Sequence, residues 1–195
     1  MNGGRIFFSS DLHFGHANIL RFGRDATFPD LTSMNEGLIS RWNAVVGPED
    51  TVFVLGDVAM GHRIDTLPLA GRLNGTKHLV AGNHDNCWEH SKNPAKWMDT
   101  YLEVFATIQT EATFDTGAGV VRLHHFPYSG DHTEEDRYPH ARPVDDGMPL
   151  LHGHMHDRWR SMPSAKNTPQ VNVGVDVWDF TPVHLDALLP HLGLA

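Results

Sequence analysis

Thr51-Val52-Phe53-Val54-Leu55-Gly56-Asp57 is an apolar, β-branched run that stops in a turn pair carrying a carboxylate. The run reads as a buried strand, and the Gly-Asp after it is, taken alone, ordinary turn chemistry. The same order recurs on either side. Arg5-Ile6-Phe7-Phe8-Ser9 predicts a short strand that leads into Asp11-Leu12-His13, and a strand over 77–81 leads into Gly82-Asn83-His84-Asp85. Between the first two strands, Met34, Leu38, Ile39, Trp42 and Val45 recur at helical spacing, and Ser33 with Glu36 predicts a capping box at the helix start. Over 64–73 a helix is expected that starts late or breaks at Pro68, and a further helix is expected over 94–102 with Pro94 in its first turn.

The second half reads differently. Residues 104–114 and 119–123 predict an antiparallel pair joined by Thr116-Gly117, after which comes His124-His125-Phe126-Pro127. Residues 128–148 contain Gly130, Pro139, Pro143 and Gly147 with little apolar periodicity, so a long loop is expected, of the kind that forms lids or binding surfaces. Its acidic stretch, Asp131, Glu134, Glu135 and Asp136, reads as a solvated face, with a lid as the alternative. Strands over 149–151 and 171–175 and a helix over 182–189 complete the pattern, with Gly153-His154-Met155-His156 after the first of them. Strands alternating with helices first, then consecutive strands, predict an α/β sandwich containing a mixed sheet, within one domain spanning 1–195.

Composition narrows the class. Forty per cent hydrophobic and 20% charged residues with a mean hydropathy of -0.34 describe an ordinary soluble globular chain. No run approaches the roughly 20 apolar residues of a membrane helix, and the first ten residues lack the long apolar core of a secretory leader. Cys87 is the only cysteine, which excludes an intramolecular disulfide and suits a cytoplasmic setting; packing is its expected role. A net charge of -9 disfavours an extended footprint on duplex nucleic acid. Bound divalent cations would still attract a phosphate locally.

Five clusters of metal-binding side chains thus follow predicted strands in order. Residues two apart in a strand share a face, so Asp11 with His13, and His154 with His156, are expected to reach one cation together. Turn chemistry accounts for any single cluster, but not for successive strands ending in potential ligands. Together they supply Asp, His and Asn ligands for two divalent cations, which points to a two-metal hydrolase.

This ordered set resembles the calcineurin-like metallophosphoesterase family, whose motifs run Asp-x-His, Gly-Asp, Gly-Asn-His-Asp/Glu, His and Gly-His-x-His. The resemblance spans residues 11 to 156. Asp11-Leu12-His13-Phe14-Gly15-His16, His125-Phe126-Pro127, Leu151-His152-Gly153-His154-Met155-His156 and Asn172-Val173-Gly174-Val175-Asp176 are most similar to small bacterial and phage members. The resemblance implies an αββα sandwich of mixed sheets flanked by helices. It implies that Asp11, His13 and His156 hold one metal, that Asn83, His125 and His154 hold the other, and that Asp57 bridges them. His125 is preferred to its rival His124 because Phe126-Pro127 follows it, as an aromatic-Pro follows the family's ligand. Two such cations share a hydroxide nucleophile and steady the phosphoryl oxygens. Manganese is the leading expectation for the metals, with iron, zinc or nickel as alternatives, since mixed O and N ligands suit several of these ions.

By the same resemblance His84 faces substrate as transition-state stabiliser or general acid. Asp85 belongs to the catalytic set as an orienting group, with turn capping as its alternative. His16 contacts phosphate or lies solvated in its loop; Asn18, Arg24 and Arg158 are weaker candidates. Val58-Ala59-Met60 stands where the protein-phosphatase branch has a further Asp and Arg, and Asp85 stands where that branch has Glu, so a Ser/Thr protein phosphatase is not expected. The expected substrate is a small phosphodiester or phosphomonoester, a nucleotide among them. Two rivals remain: a noncatalytic protein-binding scaffold of the same fold, and a histidine-rich metal buffer. The sequence leaves the oligomeric state open.

Overall fold

Strand alternation splits the apolar residues of the N-terminal half between two core layers. The computed structural model describes residues 4–194. Strands β1 (Ile6–Ser9), β2 (Thr51–Val54), β3 (Thr76–Val80) and β4 (Thr107–Gln109) run parallel in the order β4-β3-β2-β1, and β9 (Val183–His184) closes the edge antiparallel to β1. Phe7, Val52 and Val54 point to one face of this sheet. There they meet Met34, Leu38, Ile39 and Trp42 of helix α1 (Leu31–Val45). Burying Met34, Leu38 and Ile39 contributes about 1.5–3 kcal/mol each. Phe8 points to the other face, where with Leu55 and Val80 it packs on Val121, Leu123, Leu151 and Val171.

Those last residues belong to the second sheet, order β5-β6-β7-β8: β5 (Glu111–Asp115) and β6 (Val120–His124) are antiparallel, and β7 (Leu150–His152) and β8 (Gln170–Asn172) continue parallel to β6. The result is a sandwich of two mixed sheets flanked by helices. Parallel strands end at the same side of their sheet, so the loops after β1, β2, β3, β6 and β7 gather at one rim. This is what brings clusters far apart in sequence to one place.

Local differences from the sequence-based expectation have physical causes. Helix α1 starts earlier, because extended Asp30 caps it by accepting the Ser33 N–H at 2.7 Å; Ser33 is therefore inside the helix, and Glu36 pairs with Arg72 at 2.7 Å instead of closing a capping box. The expected strand over 104–114 is two strands that pair in different sheets. Ile108 packs with the helices while Phe114 packs between the sheets, a switch that a continuous β-prone run does not reveal. Around Pro68, α2 (Arg63–Thr66) gives way to a 3-10 helix (Leu67–Arg72), whereas α3 (Pro94–Leu102) forms with Pro94 at its first turn. The C-terminal helix is shorter than expected: Val183 and His184 pair with β1, and only α4 (Leu185–Leu188) and a 3-10 turn follow. No helix among the described residues is long and apolar enough to cross a membrane.

Candidate metal centre

Asp11 and His13 lie beyond β1, and His154 and His156 lie beyond β7, so strand alternation is not what brings each pair together. All four have left-handed backbones, with φ of 56°, 53°, 68° and 47°, and Asp57 joins them at 56°. Only three other described non-glycine residues, Asn167, Asp179 and Phe180, share that region. Each such residue costs on the order of 1–3 kcal/mol, so surrounding structure must hold it there. The intervening Leu12 and Met155 do part of this by burying their side chains. Backbone bonds do the rest: the N–H groups of Asp11, His13 and Phe14 donate to the carbonyls of Gly56, Asp57 and Val58, each at 3.0 Å.

Two glycines let these turns close. A Cβ at Gly56 would meet the His125 ring at 2.5 Å and the Gly82 nitrogen at 2.6 Å, and one at Gly153 would collide with the Ser10 hydroxyl. The glycine in Gly-Asp and the glycine in Gly-His-x-His are thus spacers between ligand-bearing turns.

The ligand-type atoms of Asp11, His13 and His156 lie within 4.8 Å of one another, and so do those of Asp11, Asp57 and His125. Asp57 Oδ2 is 3.6 Å from His13 Nε2 and 3.6 Å from His125 Nε2. These separations are too long for hydrogen bonds, but they match two ligands that each reach about 2.0–2.2 Å to a shared ion. Both ring nitrogens of His13 are buried without a hydrogen-bond partner, an arrangement a cation would satisfy. His125 Nδ1 lies 2.7 Å from the Leu55 carbonyl, which requires Nδ1 to carry a proton, and Nε2 on the other side of the ring lies 3.0 Å from Asn83 Oδ1. An imidazole nitrogen and an amide oxygen this close in a buried site are placed to share a cation. The donor set present therefore fits divalent metals.

His124, the rival of His125, is held differently. Its Nδ1 accepts the Phe126 N–H at 3.0 Å, and burial pushes its pKa down to about 3. His154 is buried beside His125, ring centroids 5.2 Å apart, and its N–H donates to Asp11 Oδ2 at 3.0 Å. The electrostatics suit cations as well. Burial raises the Asp11 pKa, whereas at Asp57 burial is outweighed by His125, His84 and the His84 N–H, which hold the carboxyl below its ordinary value. Burial and the neighbouring His156 keep His13 well below the ordinary imidazole range, hence neutral and able to ligate.

His84, His16, His13 and His156 line a cavity of roughly 610 Å³ whose lining also includes Phe22, Arg137 and Arg158. Asp85 faces elsewhere. Its buried carboxylate accepts the N–H groups of Asp57 and Gly82 at 2.9 Å and of Val58 at 3.1 Å, tying the second and third ligand turns together. Burial and the adjacent Asp57 raise its pKa to about 6. His16 is half-buried; burial and the nearby His84 lower its pKa to about 4.

Two groups beneath the centre carried little weight in the sequence. Arg24, 1% exposed, donates to the carbonyls of Asp11 at 2.6 Å and Leu12 at 3.0 Å and forms a bidentate pair with Asp176 at 2.7 and 2.8 Å. Asp176 Oδ2 in turn lies 3.5 Å from His156 Nδ1. The Asn172 to Asp176 segment contained that signal, but a partner 152 residues away could not be read from spacing. Asp131 is the second case: it is not on a solvated face, because its carboxylate is wholly buried against His132, His154 and Arg137.

Carboxylates and imidazoles converging at the strand ends of a two-sheet sandwich define a metal-dependent phosphoesterase. The chain belongs to the calcineurin-like phosphoesterase family, whose sequence profile matches residues 4–193. It is 35% identical over 182 residues to the gene 66 protein of Mycobacterium phage L5, covering 88% of this chain and 86% of that one. To the gene 66 protein of Mycobacterium phage D29 it is 37% identical over 188 residues, covering 91% and 92%. A crystal structure of a protein of unknown function, AQ665 from Aquifex aeolicus, shares the fold with a TM-score of 0.72 and 25% identity, covering 95% of this chain and 97% of that one.

Proposed function

We propose that this single-domain chain is a two-metal phosphoesterase that hydrolyses a small phosphodiester or phosphomonoester, with diesters, nucleotides among them, preferred. The observation that carries the reading is the position of Asp57 Oδ2, 3.6 Å from an imidazole nitrogen on either side. Asp11, His13 and His156 would hold one divalent ion and Asn83, His125 and His154 the other, with Asp57 shared; manganese is favoured, and iron, zinc or nickel would also suit these ligands. When bound, such a pair supplies an activated water and neutralises charge on the phosphoryl oxygens.

The chain's own groups do the rest. Asp57 keeps the two ligand sets in register, and Asp85 acts behind it by holding the Asp57 and Gly82 turns at fixed separation. His84 and His16 line the cavity, where His84 would place an imidazole proton on the departing oxygen and His16, kept neutral, would accept or donate a hydrogen bond to phosphate. Phe22, 72% exposed on the cavity lining, gives a nucleobase a ring to stack on, which supports the nucleotide class.

The test is metal analysis of the purified protein, followed by turnover of a model phosphodiester and a model monoester with added manganese, iron, nickel and zinc. Two ions per chain and hydrolysis of the diester are expected. Metal-loaded protein that cleaves neither ester would sink the enzymatic reading in favour of a noncatalytic scaffold, and many loose sites would indicate metal buffering.

A further inference from the structure

The 128–148 loop reaches the metal centre through one buried carboxylate. Asp131 Oδ1 lies 3.2 Å from Nε2 of His154 and 3.1 Å from Nδ1 of His132. Arg137 grips the same carboxylate, with Nη2 at 3.1 Å from Oδ1, Nε at 3.3 Å from Oδ2, and its backbone N–H donating to Oδ2 at 3.2 Å. His154 is 1% exposed, and its Nε2 has no aligned hydrogen bond; the contact with Asp131 is one of ion-pair distance.

Asp131, His132 and His154 have the composition of a further cation site, with ligand-type atoms within 4.8 Å of one another. Charge argues against it. The Arg137 guanidinium already lies 3.3 and 3.2 Å from the two His132 ring nitrogens and 3.1 Å from Asp131 Oδ1, so a positive group fills that place.

We propose instead that Asp131 is a positioning residue for His154 and latches the 128–148 loop onto the metal centre, an inference that rests on the two-metal reading above. An imidazole that ligates an ion through one ring nitrogen carries its proton on the other, and a carboxylate facing that second nitrogen fixes both tautomer and ring orientation. Asp131 faces Nε2, which assigns ligation to Nδ1. Because the His154 N–H is also tied to Asp11, the latch connects the loop to both ligand sets. The linkage is reciprocal: an ion on His154 favours the docked loop, and the docked loop raises that ion's affinity. Docking has a second consequence, since His132, Thr133 and Arg137 line the cavity and arrive with Asp131.

The experiment is calorimetric titration of Mn2+ into the metal-stripped full chain, with tryptic cleavage after Arg137 followed in the presence and absence of Mn2+. The unsubstituted protein should show two binding events, and Mn2+ should slow the cleavage by about 5–150-fold, the range of an ordinary coupling free energy. Asp131→Ala should weaken one event by about 10–100-fold while leaving the other within about two-fold, and should remove the Mn2+ effect on cleavage. Asp131→Asn keeps an oxygen for the Nε2–H but gives up the charge shared with Arg137, so it should fall between; near-UV circular dichroism of both variants checks that they fold. Two ions bound with undiminished affinity in both folded variants, with Mn2+ protection retained, would overturn the latch and leave the two-metal reading standing. An unsubstituted chain that takes up no Mn2+ would overturn both.

Discussion

The ligand-bearing turns and the 128–148 loop both border the same cavity, but they are held by different forces. The turns are fixed by backbone hydrogen bonds between strand ends, by left-handed residues with buried neighbours, and by the Asp85 carboxylate inside the protein. The loop has a single 3-10 turn (Pro139–Ala141) and is held chiefly by side chains: Arg137 on Asp131, Arg142 on Asp136 and on the Pro127 carbonyl, and Arg158 on the His132 carbonyl. Each loop ion pair joins one buried side chain to a more exposed partner, Asp131 to Arg137 and Arg142 to Asp136, so the hold on the loop depends on single side chains where the turns share a backbone network. The ligand-type turns are therefore held by the backbone network, and the part of the cavity lining that His132, Thr133 and Arg137 supply is held by side chains, which suits substrate choice at the loop.

Substitutions on the two sides of this contrast should have distinct signatures. Asp57→Asn should abolish turnover and lower metal content below two ions per chain; activity persisting with two ions bound would remove Asp57 from the shared position. His84→Ala should lower turnover by about 10²–10⁴-fold, the usual worth of a proton-transferring group, with metal content unchanged by elemental analysis. Unchanged turnover would refute the role given to His84.

Asp85→Ala acts on the scaffold of the turns. It leaves the buried N–H groups of Asp57, Gly82 and Val58 without their acceptor, and each such group costs about 1–3 kcal/mol. Denaturant unfolding should show a clear loss of stability, and a midpoint equal to that of the unsubstituted protein would show that Asp85 clamps nothing. Arg142→Met should have the smallest effect. The Arg142 side chain is 6% exposed and donates to the Pro127 carbonyl, so the unfolding midpoint should fall, but by less than for Asp85→Ala, which strands three N–H groups, while KM for the diester rises a few-fold. An unchanged KM would show that Arg142 does not hold the cavity wall in place.

The same contrast separates what could be read from residues alone and what could not. The strands before Asp11, Asp57 and Asn83 announce themselves by apolar, β-branched runs, and the glycines of the motifs mark turns whose close approach excludes a Cβ. The sheet switch between Gln109 and Glu111 was hidden because β-propensity says nothing about which sheet a strand joins. The pairings of Arg24 with Asp176 and of Asp131 with His154 were hidden because the partners are remote in sequence, and Asp131, in an acidic stretch of a long loop, reads as surface.

Local chemistry was enough to set the order of strands and turns, the family resemblance and the inventory of ligand-type side chains, because periodicity, turn residues and donor atoms are properties of short segments. The three-dimensional fold was needed to set His125 beside Asp57 and Asn83 while His124 accepts the Phe126 N–H, to turn Asp85 away from the cavity toward the backbone of Asp57 and Gly82, and to bury Asp131 against His154. Those outcomes depend on which strand ends share a rim and what lies behind each side chain, and long-range packing sets both.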